Sequence, residues 1–195
     1  MTPVEFRRHL HRHPELSFRE TESARFIAEA LREAGIPCRP IAGTGVLAKI
    51  EGRGDLRRAV VLRADIDALP IREQSGAAWS SENDGVMHAC GHDIHAAVLY
   101  GTLLRLSAER NFEGTLFGIF QPGEESNPGG ASKVLAENPF EGYTVLASAS
   151  TSNLHWTRAR WASARASTWP PTTNCASRSK ARAATRPCVP NTATR

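Results

Sequence analysis

Apolar residues recur at the spacing of an amphipathic helix in several parts of the chain. Four segments show this pattern, namely residues 3–13, 20–34, 94–110 and 131–139. Thr2 is placed to cap the first of these helices, and Pro14 ends it. Gly35 is a typical C-cap for the second helix. The pattern therefore predicts four helices spread along the first three quarters of the sequence.

Continuous apolar runs between these helices predict β-strands. The runs cover residues 46–50, 59–67 and 115–121. The first two flank the turn GRGD, which predicts that they form a strand pair. Strands that alternate with helices are typical of α/β proteins. We therefore expect an α/β fold with a central, mostly parallel sheet flanked by helices.

The balance of charge changes sharply near residue 150. The whole chain has a net charge of +4, yet residues 151–195 hold eight Lys/Arg and no Asp or Glu. The remaining 16 basic and 20 acidic side chains give residues 1–150 a net charge of −4. This distribution excludes a uniformly basic nucleic-acid-binding domain. The basic tail has few large aliphatic residues and is expected to be disordered.

The chain shows no pattern that favours a membrane partner. No apolar run reaches the roughly 18 residues that a membrane span needs. The opening sequence MTPVEFRRHL also lacks the apolar core of a signal peptide. We therefore expect a cytoplasmic protein.

The first group of chemically interesting residues lies in MHACGHDIH, residues 87–95. Cys90 and His92 flank Gly91, so a thiolate and an imidazole can approach one ion from a tight turn. Both are ligands of zinc, cobalt, nickel or manganese at catalytic sites. The alternative is structural, with a buried cysteine and Asp93 as a helix cap.

The second group consists of two adjacent carboxylates, Glu124 and Glu125, directly after a buried strand. Consecutive side chains in an extended turn point in different directions. One carboxylate can therefore bind a metal while the other accepts a proton from water and donates it to a leaving amine. The alternative is a pair of solvated acids on a loop.

The third group, Asp65 and Asp67, ends another apolar strand. Parallel α/β sheets assemble their sites at this end of their strands. An aspartate here can orient a metal-bound histidine, although Asp67 can equally form a turn before Pro70. The histidines of the first helix, at positions 9, 11 and 13, are expected to serve packing or the surface, because their spacing spreads them around the helix.

Taken together, these motifs resemble the metallo-amidohydrolase family of aminoacylase, carboxypeptidase G and hippurate hydrolase. The likeness is greatest to its branch of N-acyl-amino-acid amidohydrolases and auxin-conjugate hydrolases. The matching strings are RRHLHRHPELSFRE, GTGVLAKI, LRADIDALPI, MHACGHDIHAA and FQPGEESNPGGA. They extend over roughly residues 5–145. The resemblance implies the α/β catalytic domain of a zinc-peptidase-like enzyme.

The resemblance also implies a role for each matching residue. Cys90 is similar to the ligand that bridges two metals, and His92 and Glu125 to terminal ligands. Glu124 matches the general base, and Asp65 matches an aspartate beside the metals. The implied reaction is hydrolysis of the amide bond of an N-acyl amino acid or peptide, a small-molecule substrate. The implied cofactors are two divalent ions (zinc, manganese, cobalt or nickel) in full-length members, and one or none in this chain.

The likeness stops after about residue 147. Several features of the family are missing here: the motifs GLH and GGHA, a final metal-binding histidine, and the inserted domain that carries the homodimer contacts. His155 lies near the expected place of GLH, but its surroundings, NLHWTRA, do not match the family and do not justify a ligand role. If each codon of the tail starts one nucleotide earlier, however, both motifs can be restored in order. In this shifted frame the genetic code leaves no choice at four codons. They start on the last bases of Trp156, Trp161, Trp169 and Asn174, and they encode Asp, Gly, Ala and Leu in that order.

We therefore expect two regions, a partial catalytic domain over residues 1–147 and an out-of-frame tail over residues 148–195. The function predicted from the family is metal-dependent amide hydrolysis, with little or no activity in this fragment. Two alternatives remain at this point. One is a non-catalytic metal-binding fragment, and the other is a nucleic-acid-associated protein with a basic tail.

Overall fold

A computed structural model of the chain describes residues 1–149 and the backbone of residues 162–165. The helices are α1 (Pro3–Arg12), α2 (Thr21–Glu33), α3 (His92–Glu109) and α4 (Gly130–Ala136). The strands are β1 (Cys38–Ile41), β2 (Gly45–Glu51), β3 (Arg58–Asp65), β4 (Thr115–Gln121), β5 (Thr144–Ala149) and β6 (Ala162–Arg165). Among these residues, no helix combines the length and apolar character needed to cross a bilayer.

The described strands form one sheet in the order β1-β2-β4-β3-β5-β6. Strands β4, β3 and β5 pair in parallel, whereas the pairs β1–β2, β2–β4 and β5–β6 are antiparallel. Strands β1, β3, β4 and β5 consequently run in one direction. The expected α/β class, with a central sheet flanked by helices, is confirmed. The sheet is mixed: four of its six described strands run in one direction, but three of the five pairings are antiparallel.

The predicted pairing of β2 with β3 is wrong, because β4 lies between them and pairs with both. All seven residues of β4 are buried. A strand that is apolar on both faces is most stable in the centre of a sheet, where helices cover it from both sides. The segment containing GRGD therefore spans the width of one intervening strand instead of forming a tight hairpin.

The helices match their predicted positions closely, and one shift in a boundary matters for the site. Helix α1 begins with a capping box, in which the Glu5 backbone N–H donates to Thr2 Oγ1 and the Thr2 backbone N–H donates to the Glu5 carboxylate. Helix α3 starts at His92, two residues before the predicted start. Gly91 has a φ of 82°, and this left-handed conformation lets the chain enter the helix directly from a tight turn.

Two apolar layers hold the sheet in place. Helices α1, α2 and α3 cover one face, where Phe6 stacks on Tyr100 with ring centroids 4.3 Å apart and contacts Phe120. Helix α4 covers the other face, where Val134 joins a cluster around Phe117. With both faces fixed, the parallel register aligns Asp65 with Gln121, so β3 and β4 end at the same edge of the sheet.

Most of the predicted tail, residues 148–195, lies outside the described residues. Within it, β5 continues to Ala149, and the backbone of β6 pairs with β5 in the register Leu146↔Arg165. Strands β1, β5 and β6 were absent from the prediction.

Candidate metal centre

Three loops meet at the edge of the sheet where β3 and β4 end. Asp65 ends β3, Cys90 and His92 lie at the start of α3, and Glu124 and Glu125 follow β4. The Sγ of Cys90, a ring nitrogen of His92 and a carboxylate oxygen of Glu125 all lie within 4.8 Å of one another. The fold thus brings together three residue types that commonly bind one ion.

His92 is held in a defined orientation by Asp67. Its Nδ1 lies 2.9 Å from the backbone oxygen of Asp67 and 3.1 Å from Oδ1 of the same residue. Burial alone would lower the pKa of His92, but the hydrogen bond to Asp67 and the charges of Asp65 and Asp67 raise it above its ordinary value. Since Nδ1 is occupied, Nε2 is the nitrogen that faces the loop after β4.

Asp67 also positions Glu125. The second carboxylate oxygen of Asp67 accepts hydrogen bonds from the Glu125 backbone N–H at 2.9 Å and from Ser17 Oγ at 2.7 Å. Burial would raise the pKa of Asp67, but these contacts and His92 lower it to about 2. The sequence left two roles open for Asp67, orienting a histidine or forming a turn. The structure places Asp67 in contact with His92, so it is more than a turn residue.

The two adjacent glutamates both approach His92. The Nε2 atom of His92 lies 3.8 Å from a carboxylate oxygen of Glu125 and 3.9 Å from one of Glu124. Partial burial and the charge of Asp65 raise the pKa of Glu124 above its ordinary value. The alternative of two merely solvated acids does not describe this arrangement, because both side chains share one buried imidazole as a neighbour.

The structural alternative for the CGH turn is also wrong. Cys90 is exposed, and its pKa is raised to about 11 by partial desolvation, a hydrogen bond with Glu125 and nearby negative charges. Asp93 does not cap α3, because the N-cap is Gly91 and no side chain among the described residues caps this end. The Asp93 carboxylate instead accepts hydrogen bonds from Arg7 at 2.8 Å and His11 at 2.9 Å.

Asp65 lies beside the group formed by Cys90, His92 and Glu125, and it belongs to a second group of possible ligands. One of its carboxylate oxygens pairs with Arg63, and the other lies 3.9 Å from Nδ1 of His95. Ligand atoms of Asp65, His92 and His95 all lie within 4.8 Å of one another. His95 was missed by the sequence analysis, although the H-x-x-H spacing places it one helical turn after His92 on the same side of α3.

The histidines of α1 take part in packing, as predicted for this group. His9 stacks on Phe26 with ring centroids 3.7 Å apart. His11 is buried between the Asp93 carboxylate and Glu73, whose nearest oxygen lies 3.1 Å from Nε2. His11 therefore ties α1 to the first turn of α3, next to the candidate metal ligands.

The loop that carries both glutamates depends on a glycine. A Cβ at Gly130 would lie 1.8 Å from the backbone oxygen of Pro122, so an alanine would force this loop to move. We expect Gly130→Ala to lower the free energy of unfolding by about 1–3 kcal/mol, as is typical of overpacking. Gly129→Ala is the matched control, since the nearest atoms there are 3.4 Å away. Urea unfolding of both variants measures the difference, and equal stability would contradict this account.

The fold and the site define an α/β protein with a candidate metal-dependent hydrolytic centre. A family model described as Peptidase family M20/M25/M40 matches residues 61–163. The chain belongs to this family of metal-dependent amidohydrolases and peptidase-like enzymes. The resemblance to metallo-amidohydrolases seen in the sequence is thereby confirmed.

Individual relatives are similar over the same part of the chain. N-acetyl-L-cysteine deacetylase of Bacillus subtilis is 45% identical over 145 residues, which cover 73% of this chain and 34% of the deacetylase. N-acyl-L-amino acid amidohydrolase of Geobacillus stearothermophilus is 42% identical over 145 residues, which cover 73% of this chain and 39% of that protein. The chain therefore spans less than half the length of these relatives.

A solved structure supports the same relationship. A dinuclear metal-binding peptidase of the M20 family from Bacillus subtilis has a TM-score of 0.69 and 44% sequence identity to this chain. The match covers 73% of this chain and 41% of the peptidase.

Proposed function

We propose that this chain carries the metal-binding and proton-transfer residues of a hydrolase that cleaves the amide bond of N-acyl amino acids. The observation that carries the proposal is the convergence of Cys90, His92 and Glu125, with Glu124 against the same His92 nitrogen. The names of the relatives, which include an N-acetyl-L-cysteine deacetylase and an N-acyl-L-amino acid amidohydrolase, support the substrate class.

The residues present fit a divalent cation. Cys90, His92 and Glu125 would hold it through sulfur, nitrogen and oxygen, a donor set suited to zinc or cobalt and compatible with nickel or manganese. Asp67 supports both His92 and Glu125, as is usual around metal ligands. When bound, a cation at this position supplies a Lewis acid that polarises the substrate carbonyl and makes water more acidic.

Glu124 is proposed as the general base. Its carboxylate lies beside the candidate ligands without being part of either ligand group, and it is partly open to solvent. In that position it can take a proton from the attacking water and return it to the leaving nitrogen. The raised pKa of Glu124 suits both tasks, because proton transfer is most efficient when the pKa of the group approaches the working pH.

We infer that residues 1–147 are part of a catalytic domain and that residues 148–195 are an out-of-frame tail. Two features of the sequence support this inference: the tail lacks the GLH and GGHA motifs, and its residues are compatible with codons that restore both motifs in another frame. The alternative of a metal-binding fragment without turnover is favoured by the same absence. The acidic balance of residues 1–150 argues against nucleic acid as a partner of that region.

Cobalt titration of the metal-free chain tests the ligand set. We expect a thiolate-to-cobalt charge-transfer band in the absorption spectrum, and we expect Cys90→Ser to abolish it. Because the Cys90 thiol, with a pKa of about 11, must lose its proton on binding, and the His92 ring must be neutral, the affinity should rise at least about tenfold per pH unit near neutrality.

Cys38→Ser is the matched control for this titration. Cys38 is partly buried at the start of β1, and its thiol lies 3.6 Å from the backbone oxygen of Ala28. Its loss should leave the cobalt band unchanged. A band that survives in Cys90→Ser, or an affinity independent of pH, would contradict the proposed ligand set.

A further inference from the structure

Glu20 carries a fully buried carboxyl group to which the proposed function gives no role. The residue is 0% exposed, and no Lys, Arg or His among the described residues forms an ion pair with it. It stands at the N-cap of α2, yet its side chain makes no cap hydrogen bond there. Burial of a carboxyl group without a cation is costly unless other hydrogen bonds compensate for the lost water. The partners of Glu20 therefore show what the group does.

The Glu20 carboxyl group joins two loops that are distant in the sequence. One oxygen accepts a hydrogen bond from the backbone N–H of Gly123 at 2.8 Å, and the other accepts one from the hydroxyl of Thr44. Gly123 is buried, and its carbonyl accepts a hydrogen bond from the Gly130 N–H at 2.9 Å. Both polar groups of the residue directly before Glu124 are thus held in place.

The backbone on the other side of Glu124 is held by a different residue. The Glu125 N–H donates to the Asp67 carboxylate, which also contacts His92. A change at Asp67 would therefore disturb the candidate metal ligands and the base together. Glu20 belongs to neither ligand group and holds the base loop alone.

We propose that Glu20 is a positioning residue for the base Glu124 and acts through the backbone of Gly123. The inference rests on the proposed function because it takes Glu124 as the base. Without the Glu20 oxygen, the buried N–H of Gly123 loses its partner, which favours a shift of the loop. A misplacement of about 1 Å costs on the order of 10²-fold in rate, so the effect falls on kcat. Metal affinity should stay the same.

Three substitutions in the chain as given separate positioning from folding. Glu20→Leu removes the acceptor, whereas Glu20→Gln keeps one oxygen for Gly123 and can donate its amide to the Thr44 hydroxyl. Thr44→Val removes only the other hydrogen bond. In NMR spectra, we expect Glu20→Leu to shift the amide signals of Gly123 and Glu124, and Glu20→Gln to shift them much less. Thr44→Val should lower the urea midpoint and leave the Glu124 signal in place. Cobalt affinity should be the same in all three variants.

The same substitutions in the frame-restored enzyme, whose reading frame is corrected after residue 147, test the effect on catalysis. We expect Glu20→Leu to lower kcat about 10²-fold with KM unchanged. Glu20→Gln and Thr44→Val should keep the parental kcat. A double variant of Glu20→Leu and Glu124→Gln should lose no more than Glu124→Gln alone, because the effects of independent residues would multiply.

The outcomes distinguish this inference from the proposed function. With Glu124→Gln impaired, the inference alone is overturned by any of three results. These are an unshifted Glu124 signal in Glu20→Leu, an equal loss of kcat in Thr44→Val, and a further loss in the double variant. A Glu124→Gln variant that keeps its kcat would contradict the proposed base and the inference with it. A frame-restored enzyme without activity would contradict the proposed function, and the NMR spectra would then decide the inference.

Discussion

Restoring the reading frame after residue 147 is expected to raise the hydrolysis of N-acyl amino acids at least about 10³-fold over the chain as given. The tail lacks the GLH and GGHA histidines, which the family resemblance assigns to a metal and to the reacting carbonyl. Loss of a single group that stabilises the carbonyl oxygen costs 10²–10³ in rate, and loss of a metal ligand adds to it. The measurement is release of free amino acid from N-acetylcysteine and hippurate with added zinc, manganese or cobalt.

A third chain that ends after residue 149 controls this comparison. It has neither the tail nor the GLH and GGHA motifs, so it should be as inactive as the chain given. Activity close to that of the restored enzyme would mean that the tail inhibits an otherwise complete site. Equal turnover by the given and restored chains would contradict the proposal that the tail is out of frame. Sequencing the gene around codons 140–155 provides an independent check.

Replacing the proposed base is the second change with a large expected effect. In the frame-restored enzyme, Glu124→Gln should lower kcat by about 10²–10⁴, the usual contribution of general acid–base catalysis. Metal binding should stay the same, since Glu124 belongs to neither ligand group. Glu125→Gln should instead weaken metal binding, because Glu125 is a proposed ligand. The exposed Glu141 offers a control substitution, Glu141→Gln, with unchanged kinetics.

The pH dependence of the same enzyme gives a second test of Glu124. The base acts only when ionised, so kcat should rise as the pH increases through its pKa. Without a metal ion, burial and the charge of Asp65 raise that pKa above its ordinary value. Asp65→Asn removes the neighbouring negative charge and should move the rise to lower pH. An unchanged profile in Asp65→Asn would contradict this assignment.

The sequence predicted the four helices and the strands β2, β3 and β4 because their apolar patterns are long and regular. Strand order was beyond it, since the pairing of β4 with both β2 and β3 joins segments that are distant in the sequence and leaves no local pattern. The short strand β1 and the half-exposed strand β5 carry too few apolar residues to stand out in the pattern.

The candidate ligands were found because sequence neighbours supply them, as in C-x-H and the adjacent glutamates. The contacts that orient them join distant segments and leave no local pattern. Asp67 reaches both His92 and Glu125, which lie 25 and 58 residues away. His11 reaches Asp93 across 82 residues. Such pairs become visible only when packing has brought α1, β3 and α3 together.

X-ray absorption at the zinc edge of the zinc-loaded chain tests the central claim most directly, that Cys90 and its neighbours form a metal centre. We expect one sulfur ligand at about 2.3 Å with nitrogen and oxygen ligands at about 2.0–2.2 Å, and loss of the sulfur in Cys90→Ser. A shell of nitrogen and oxygen alone in the parent chain, or zinc that does not bind, would contradict it.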